Sequence, residues 1–230
     1  AEAGARITTG NENDPVSTNE TLGDSYNRDS LVLDRAYIQW KYKPTLPIWG
    51  LYPQVRIVGG RFANPFYTTD LVWDSDVGFE GAAIDFQSDT MMSNPWKFFL
   101  TAAALPLEEE ELSEKDKWLY AGQIGVRYDK TMGLSWKFGV AVYDYDNTLG
   151  IPNDPALPGF TDWTAPGFQQ KGNTLIDIDP SAGITTALAS EYKLLNITGT
   201  LDYDYWYPVH IMLTADWVKN KGFDKDEVAE

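Results

Sequence analysis

Hydrophobic and polar residues alternate with a period of two through most of this chain, the spacing of a half-buried β-strand rather than a helix. From Trp118, one face carries Trp118, Tyr120, Gly122, Ile124, Val126 and Tyr128, and the other Leu119, Ala121, Gln123, Gly125 and Arg127. The next segment sets Leu134, Trp136, Phe138, Val140 and Val142 against Ser135, Lys137, Gly139, Ala141 and Tyr143. Towards the C-terminus, Leu195, Ile197, Leu201 and Tyr203 oppose Asn196, Thr198, Thr200 and Asp202, while Ile211, Leu213, Ala215 and Trp217 oppose His210, Met212, Thr214 and Asp216. The pattern predicts nine strands, near residues 4–9, 31–43, 54–64, 77–87, 96–105, 117–129, 134–146, 191–204 and 208–219. Only LPLEEEELSEKDK has a helix-forming composition, and it lacks an apolar stripe.

The connections between these strands alternate in character. PTLPIWGLYPQ, SDTMMSNP, DKTMG and YWYP are short and rich in Pro or Gly. NENDPVSTNETLGDSYNRDS, FYTTDLVWDSD, LEEEELSEKDK and the stretch from Thr148 to Ser190 are longer and mostly acidic. Short turns at one end and long loops at the other are the habit of outer-membrane barrels.

The apolar face must lie against either a second sheet or lipid. Aromatic residues stand at both ends of the face with aliphatic residues between them, as interfacial girdles require. Strands of about 11 residues cross the hydrocarbon layer when tilted. On the polar face, Gly125, Gly139, Ala121 and Ala141 leave room where a soluble core would be filled with bulk. The pattern therefore favours an all-β fold, a transmembrane antiparallel up-and-down β-barrel, over a soluble carbohydrate-binding β-sandwich. Residues 1–230 read as a single partial β-barrel domain of about nine strands, with 148–190 as a long external or in-folded loop. The alternation fails twice, at Arg61 in VRIVGGRFANPF and between Glu80 and Asp85 in VGFEGAAIDF, and bulges at Gly59-Gly60 and Gly81 are expected there.

Composition removes other classes. A net charge of -16 and a pI near 4.3 argue against sequence-independent nucleic-acid binding, which needs basic surface. With no cysteine and a single histidine, His210, there is no disulfide framework, thiolate zinc site or Ser/His pair. No run of 18 apolar residues supplies a transmembrane helix. The N-terminal AEAGARITTG has no basic segment followed by an apolar one.

With strands alternating in direction, Lys41, Arg56, Lys97, Arg127 and Lys137 all point inward near the short-turn end and form a basic belt. Asp85, Gln123, Asp202, His210 and Asp216 complete the candidate lumen set. The belt either biases ion transit or is neutralised by pairing with Asp85, Asp202 and Asp216. Trp118, Tyr120, Tyr128, Trp136, Tyr203 and Trp217 are the candidate lipid-interface girdle. No residue is assigned a catalytic or metal-binding role and no cofactor is expected. The acidic stretches YDYDN, DIDP and NENDP offer calcium-like oxygen ligands but lack the Gly and terminal Glu of an EF-hand loop. Paired carboxylates and nine tryptophans also permit a glycosidase reading, but several of those tryptophans sit where a girdle places them. A scaffold barrel, plugged by a loop such as 148–190 or by a partner protein, is the alternative to a channel.

GGRFANPFYTTDLVWDSDVGFEGAAIDF, preceded by RITTGNENDPVSTNETLGD and LVLDRAYIQWKYKP, resembles the family called "putative porins", β-barrel porins of Gram-negative outer membranes. YKLLNITGTLDYDY and PVHIMLTADWVKNKGFDKDE are similar to it as well, so the likeness spans most of the chain. GRFANPF to DLVWDSD is its specific part. The resemblance implies an outer-membrane β-barrel, embedded in the lipid bilayer, that passes small hydrophilic solutes or ions; homo-oligomers are usual among well-known porins. Such barrels have an even number of strands greater than nine and commonly end in an aromatic residue, whereas this chain stops at GFDKDEVAE. Nine open strands would leave two unpaired edges in lipid. The remaining barrel strands are accordingly expected from further residues or from another chain.

Overall fold

The computed structural model describes residues 1–9, 31–46, 51–90, 95–110, 115–130, 133–169, 172–179, 183–206 and 208–223. Eleven strands occur among them: β1 Glu2–Thr9, β2 Leu31–Tyr42, β3 Leu51–Ala63, β4 Gly78–Thr90, β5 Trp96–Glu108, β6 Lys117–Lys130, β7 Leu134–Asp146, β8 Leu175–Asp177, β9 Thr186–Leu188, β10 Tyr192–Tyr203 and β11 Ile211–Asn220. Nine form one sheet in the order β1-β2-β3-β4-β5-β6-β7-β10-β11. Each strand thus lies beside its sequence neighbour, except where the β8-β9 hairpin intervenes, which is an up-and-down antiparallel sheet. Among the described residues β1 and β11 are not paired with each other, so the sheet is not closed. The helix-forming LPLEEEELSEKDK yields no helix among its described residues, and its first residues instead lengthen β5 to Glu108. NENDPVSTNETLGDSYNRDS lies outside the described residues.

The chain divides into two compact units, one of Ala1–Leu105, Ala121–Ala141 and Asn196–Val218, the other of Pro106–Tyr120, Val142–Leu195 and Lys219–Glu230. In the first, β3 and β4 pair without interruption from Leu51 with Thr90 to Ala63 with Gly78. Val58, Phe62, Phe79 and Ala83 share one face of this pair and are buried, whereas Ile57 and Ile84, directly opposite each other, are exposed on the reverse. The bulges expected at Gly59-Gly60 and Gly81 are therefore not shifts of the β3–β4 register. Gly60 and Gly81 face each other, both at positive φ (112° and 128°), and a Cβ on Gly60 would lie 2.4 Å from the Ala36 carbonyl oxygen of β2. Glycine is needed there by both the dihedral and the close approach. The register shift falls instead between Arg6 and Ile7 of β1. Opposite it on β2, Leu31 and Leu33 are exposed before Asp34, and Ile38, Trp40 and Tyr42 after it, so exposure changes parity there. Buried Asp34 takes the Arg6 guanidinium.

In the second unit, residues 148–190 are folded rather than bare. β8 and β9 pair as a hairpin, a 3-10 turn spans Asp162–Thr164, and Ile178, Ala187 and Ala189 are buried. Lys117 is buried with them: its Nζ lies 2.7 Å from Glu108 Oε2 and 3.2 Å from Glu110 Oε1, and donates to the Trp163 carbonyl at 2.6 Å. A buried ammonium needs such complete pairing to offset its desolvation.

Candidate functional site

The segment joining β3 to β4 leaves the sheet as an Asx turn, with the Phe66 amide donating to Asn64 Oδ1 at 2.9 Å. It then lies against one face of the first unit's strands, hereafter the inner face. The Tyr67 amide donates to Gln123 Oε1 and Gln123 Nε2 donates to the Tyr67 carbonyl, each at 2.7 Å, so one side-chain amide substitutes for a ladder pair. The Tyr67 hydroxyl is 2.5 Å from Thr200 Oγ1 on β10. Thr69 donates to Asp216 on β11 through its amide at 3.2 Å and its hydroxyl at 2.5 Å. Asn196 and Thr198 donate to the other Asp216 oxygen, at 2.5 and 3.1 Å. Burial pushes the Tyr67 hydroxyl above its ordinary pKa.

Below this segment lies a cavity of about 710 Å³, lined by Lys41, Arg56, Lys97, Arg127 and Lys137 together with Asp85, Gln123 and Tyr67. Seven of the ten sequence-predicted lumen residues therefore meet in one place. Their charges are arranged in several ways. Arg56 holds Asp85 at 2.6 Å, and Thr101 donates to the second Asp85 oxygen at 2.9 Å. Arg127 and Lys97 share Asp129, at 2.6 and 3.3 Å, and Lys41 meets Glu2 at 2.9 Å. Lys137 has no carboxylate within 4 Å among the described residues; its Nζ stands 3.9 Å from the centroid of the Tyr67 ring and 4.8 Å from that of Phe99.

The three other predicted lumen residues lie elsewhere on the sheet. Asp216 binds Thr69, Asn196 and Thr198 rather than a cation of the belt, and Asp202 pairs with His210 at 2.5 Å. Pairing of the belt with Asp202 and Asp216 is thus replaced by pairing with Glu2 and Asp129. The room expected beside Gly125 and Gly139 is occupied: a Cβ on Gly125 would lie 2.0 Å from Phe99 Cζ, and one on Gly139 would lie 3.2 Å from Tyr67 Cδ1. Tyr67, Thr69 and Phe99 went unassigned from sequence. Glycines on the polar faces of the adjacent strands β6 and β7 were the available signal, since such a gap in a wall invites a ring from elsewhere.

On the outer face, Tyr128 stacks on Trp136 with ring centroids 6.0 Å apart, and Trp96, absent from the predicted girdle, packs edge-on against both at 5.0 and 5.4 Å. Trp118 stacks on Tyr120 at 5.8 Å and Tyr203 packs against Trp206 at 5.2 Å. Trp217 is exposed, as are Ile38, Ile57, Phe98, Ile124, Phe138 and Leu213.

Residues 1–230 match the family model described as "Putative porin". The chain belongs to this porin family. No curated protein and no solved structure matches the chain significantly. The all-β up-and-down sheet fits the β-barrel of that family. The family-specific block noted in the sequence, GRFANPF to DLVWDSD, is the end of β3 and the segment laid across the inner face. Among the described residues no group of three His, Cys, Asp or Glu side chains converges to hold a metal ion.

Proposed function

We propose that this porin-family chain forms the wall of a water-filled passage in the outer membrane of a Gram-negative bacterium, and that small hydrophilic solutes or ions cross by diffusion without chemical change. The observation that carries the reading is the contrast between faces. The inner face gathers charged and amide side chains around a cavity of about 710 Å³, whereas the outer face exposes large aliphatic and aromatic residues over many strands. Apolar exposure on that scale suits hydrocarbon and is costly in water. The segment with Tyr67 and Thr69 narrows the passage at the inner wall, and its hydrogen bonds to Gln123, Thr200 and Asp216 fix it there. Nothing in the reading requires an enzyme.

The test is electrical. Protein purified from outer membranes in detergent and added to planar lipid bilayers is expected to give stepwise, ohmic increases in current. Insertion into the bilayer with no current would instead favour a scaffold barrel plugged by its own loop or by a partner.

A further inference from the structure

We propose that the cavity selects small anions and that Lys137 is the residue that sets this preference; the proposal rests on the channel reading above and names the class of solute. The overall charge of the chain, -16, would by itself predict a preference for cations. The cavity has the opposite balance. Six cations line it, the five of the belt and Lys43, against the single carboxylate of Asp85.

Most of this charge is compensated at short range. Arg56 is held by Asp85, Lys97 and Arg127 by Asp129, and Lys41 by Glu2, while Lys43 stands exposed just past the end of β2, where solvent screens it. Lys137 is held differently, by the faces of Tyr67 and Phe99. Aromatic faces attract an ammonium through their quadrupole but carry no net charge. They fix the position of Lys137 and leave its field uncancelled, whereas a carboxylate fixes a cation and cancels it. A fixed uncompensated charge in a narrow, low-dielectric passage lowers the barrier for ions of opposite sign. Lys137 also sits beside the narrowing itself, because one of its two rings belongs to Tyr67, whose backbone is clamped by Gln123. The arrangement depends on Gly139, which leaves space for both rings beside β7.

The experiment is the zero-current potential of the reconstituted protein across a potassium chloride gradient. The native protein is expected to favour chloride over potassium despite its acidic composition. Lys137→Gln is expected to bring the permeability ratio to unity or invert it, and Lys137→Arg to keep it. Inorganic phosphate added to native channels is expected to lower the chloride current in a saturable way, a readout that needs no variant. A native preference for potassium, a ratio unmoved by Lys137→Gln, or no effect of phosphate overturns the proposal while leaving the channel intact. Insertion without current removes the channel reading and this proposal together.

Discussion

Within β6, the buried and exposed residues are the reverse of what a water-soluble strand would show. Gln123, an amide, is 2% exposed, and Ile124, the next residue, is 62% exposed. On the inner face burial comes from protein: Gln123 is covered because its amide clamps the Tyr67 backbone. On the outer face no such clamp occurs among the described residues, and size and apolarity decide instead, with Trp118, Tyr120 and Tyr128 near the ends and Ile124 and Val126 between them. In water the preference would run the other way, since Ile is among the residues most often buried and Gln among those most often exposed. The difference teaches that polar contact organises the inner surface and the surrounding solvent organises the outer one.

Three consecutive residues allow that contrast to be broken one side at a time. Ile124→Arg places a charge in the middle of the apolar outer face, which the proposed function sets against hydrocarbon, and is expected to cost about 2–4 kcal/mol of folding stability in lipid vesicles, read from a urea titration of tryptophan emission. Gly125→Ala acts on the opposite face, where the new methyl would meet Phe99 at 2.0 Å and the Phe138 carbonyl oxygen at 2.4 Å. Overpacking of this kind is expected to cost about 1–3 kcal/mol in the same titration. Gln123→Ala removes the clamp and leaves a backbone donor and acceptor of Tyr67 unmatched, for about 1–2 kcal/mol; its clearer signature is a larger and noisier single-channel current. The smallest effect is expected for Trp136→Leu, which removes the stack on Tyr128 and the edge contact with Trp96, for about 0.5–1.5 kcal/mol beyond lost area, measured by the same titration. If Ile124→Arg proved harmless and Gln123→Ala severe, the outer face would not be meeting lipid.

Much of the wall was legible in the sequence because a strand's period of two assigns every side chain to a face without knowledge of its neighbours. The nine strands of the main sheet correspond to the nine predicted, and the belt from Lys41 to Lys137 converges because those residues all lie near short turns. Periodicity says nothing of where a loop goes. The path of Asn64 to Thr69 across the inner face is fixed by Gln123, Thr200 and Asp216, residues 56 to 147 positions away from their partners. For the same reason the β8-β9 hairpin was invisible: strands of three residues are too short to show alternation. At glycine the irregularity read from parity takes the form of positive φ at Gly60 and Gly81, through which the β3–β4 register continues.

The most direct measurement of whether the two faces meet different solvents uses the absence of cysteine in the chain. Single cysteines in place of Ile124 and of Arg127, which lines the cavity, can carry spin labels in protein reconstituted into lipid vesicles. Collision with dissolved oxygen reports hydrocarbon, and collision with a water-soluble nickel chelate reports an aqueous path. The expected result is oxygen access and nickel exclusion at 124, with nickel access at 127. Nickel access at 124, or shielding of 124 from both reagents by protein, would contradict the assignment of the outer face to lipid.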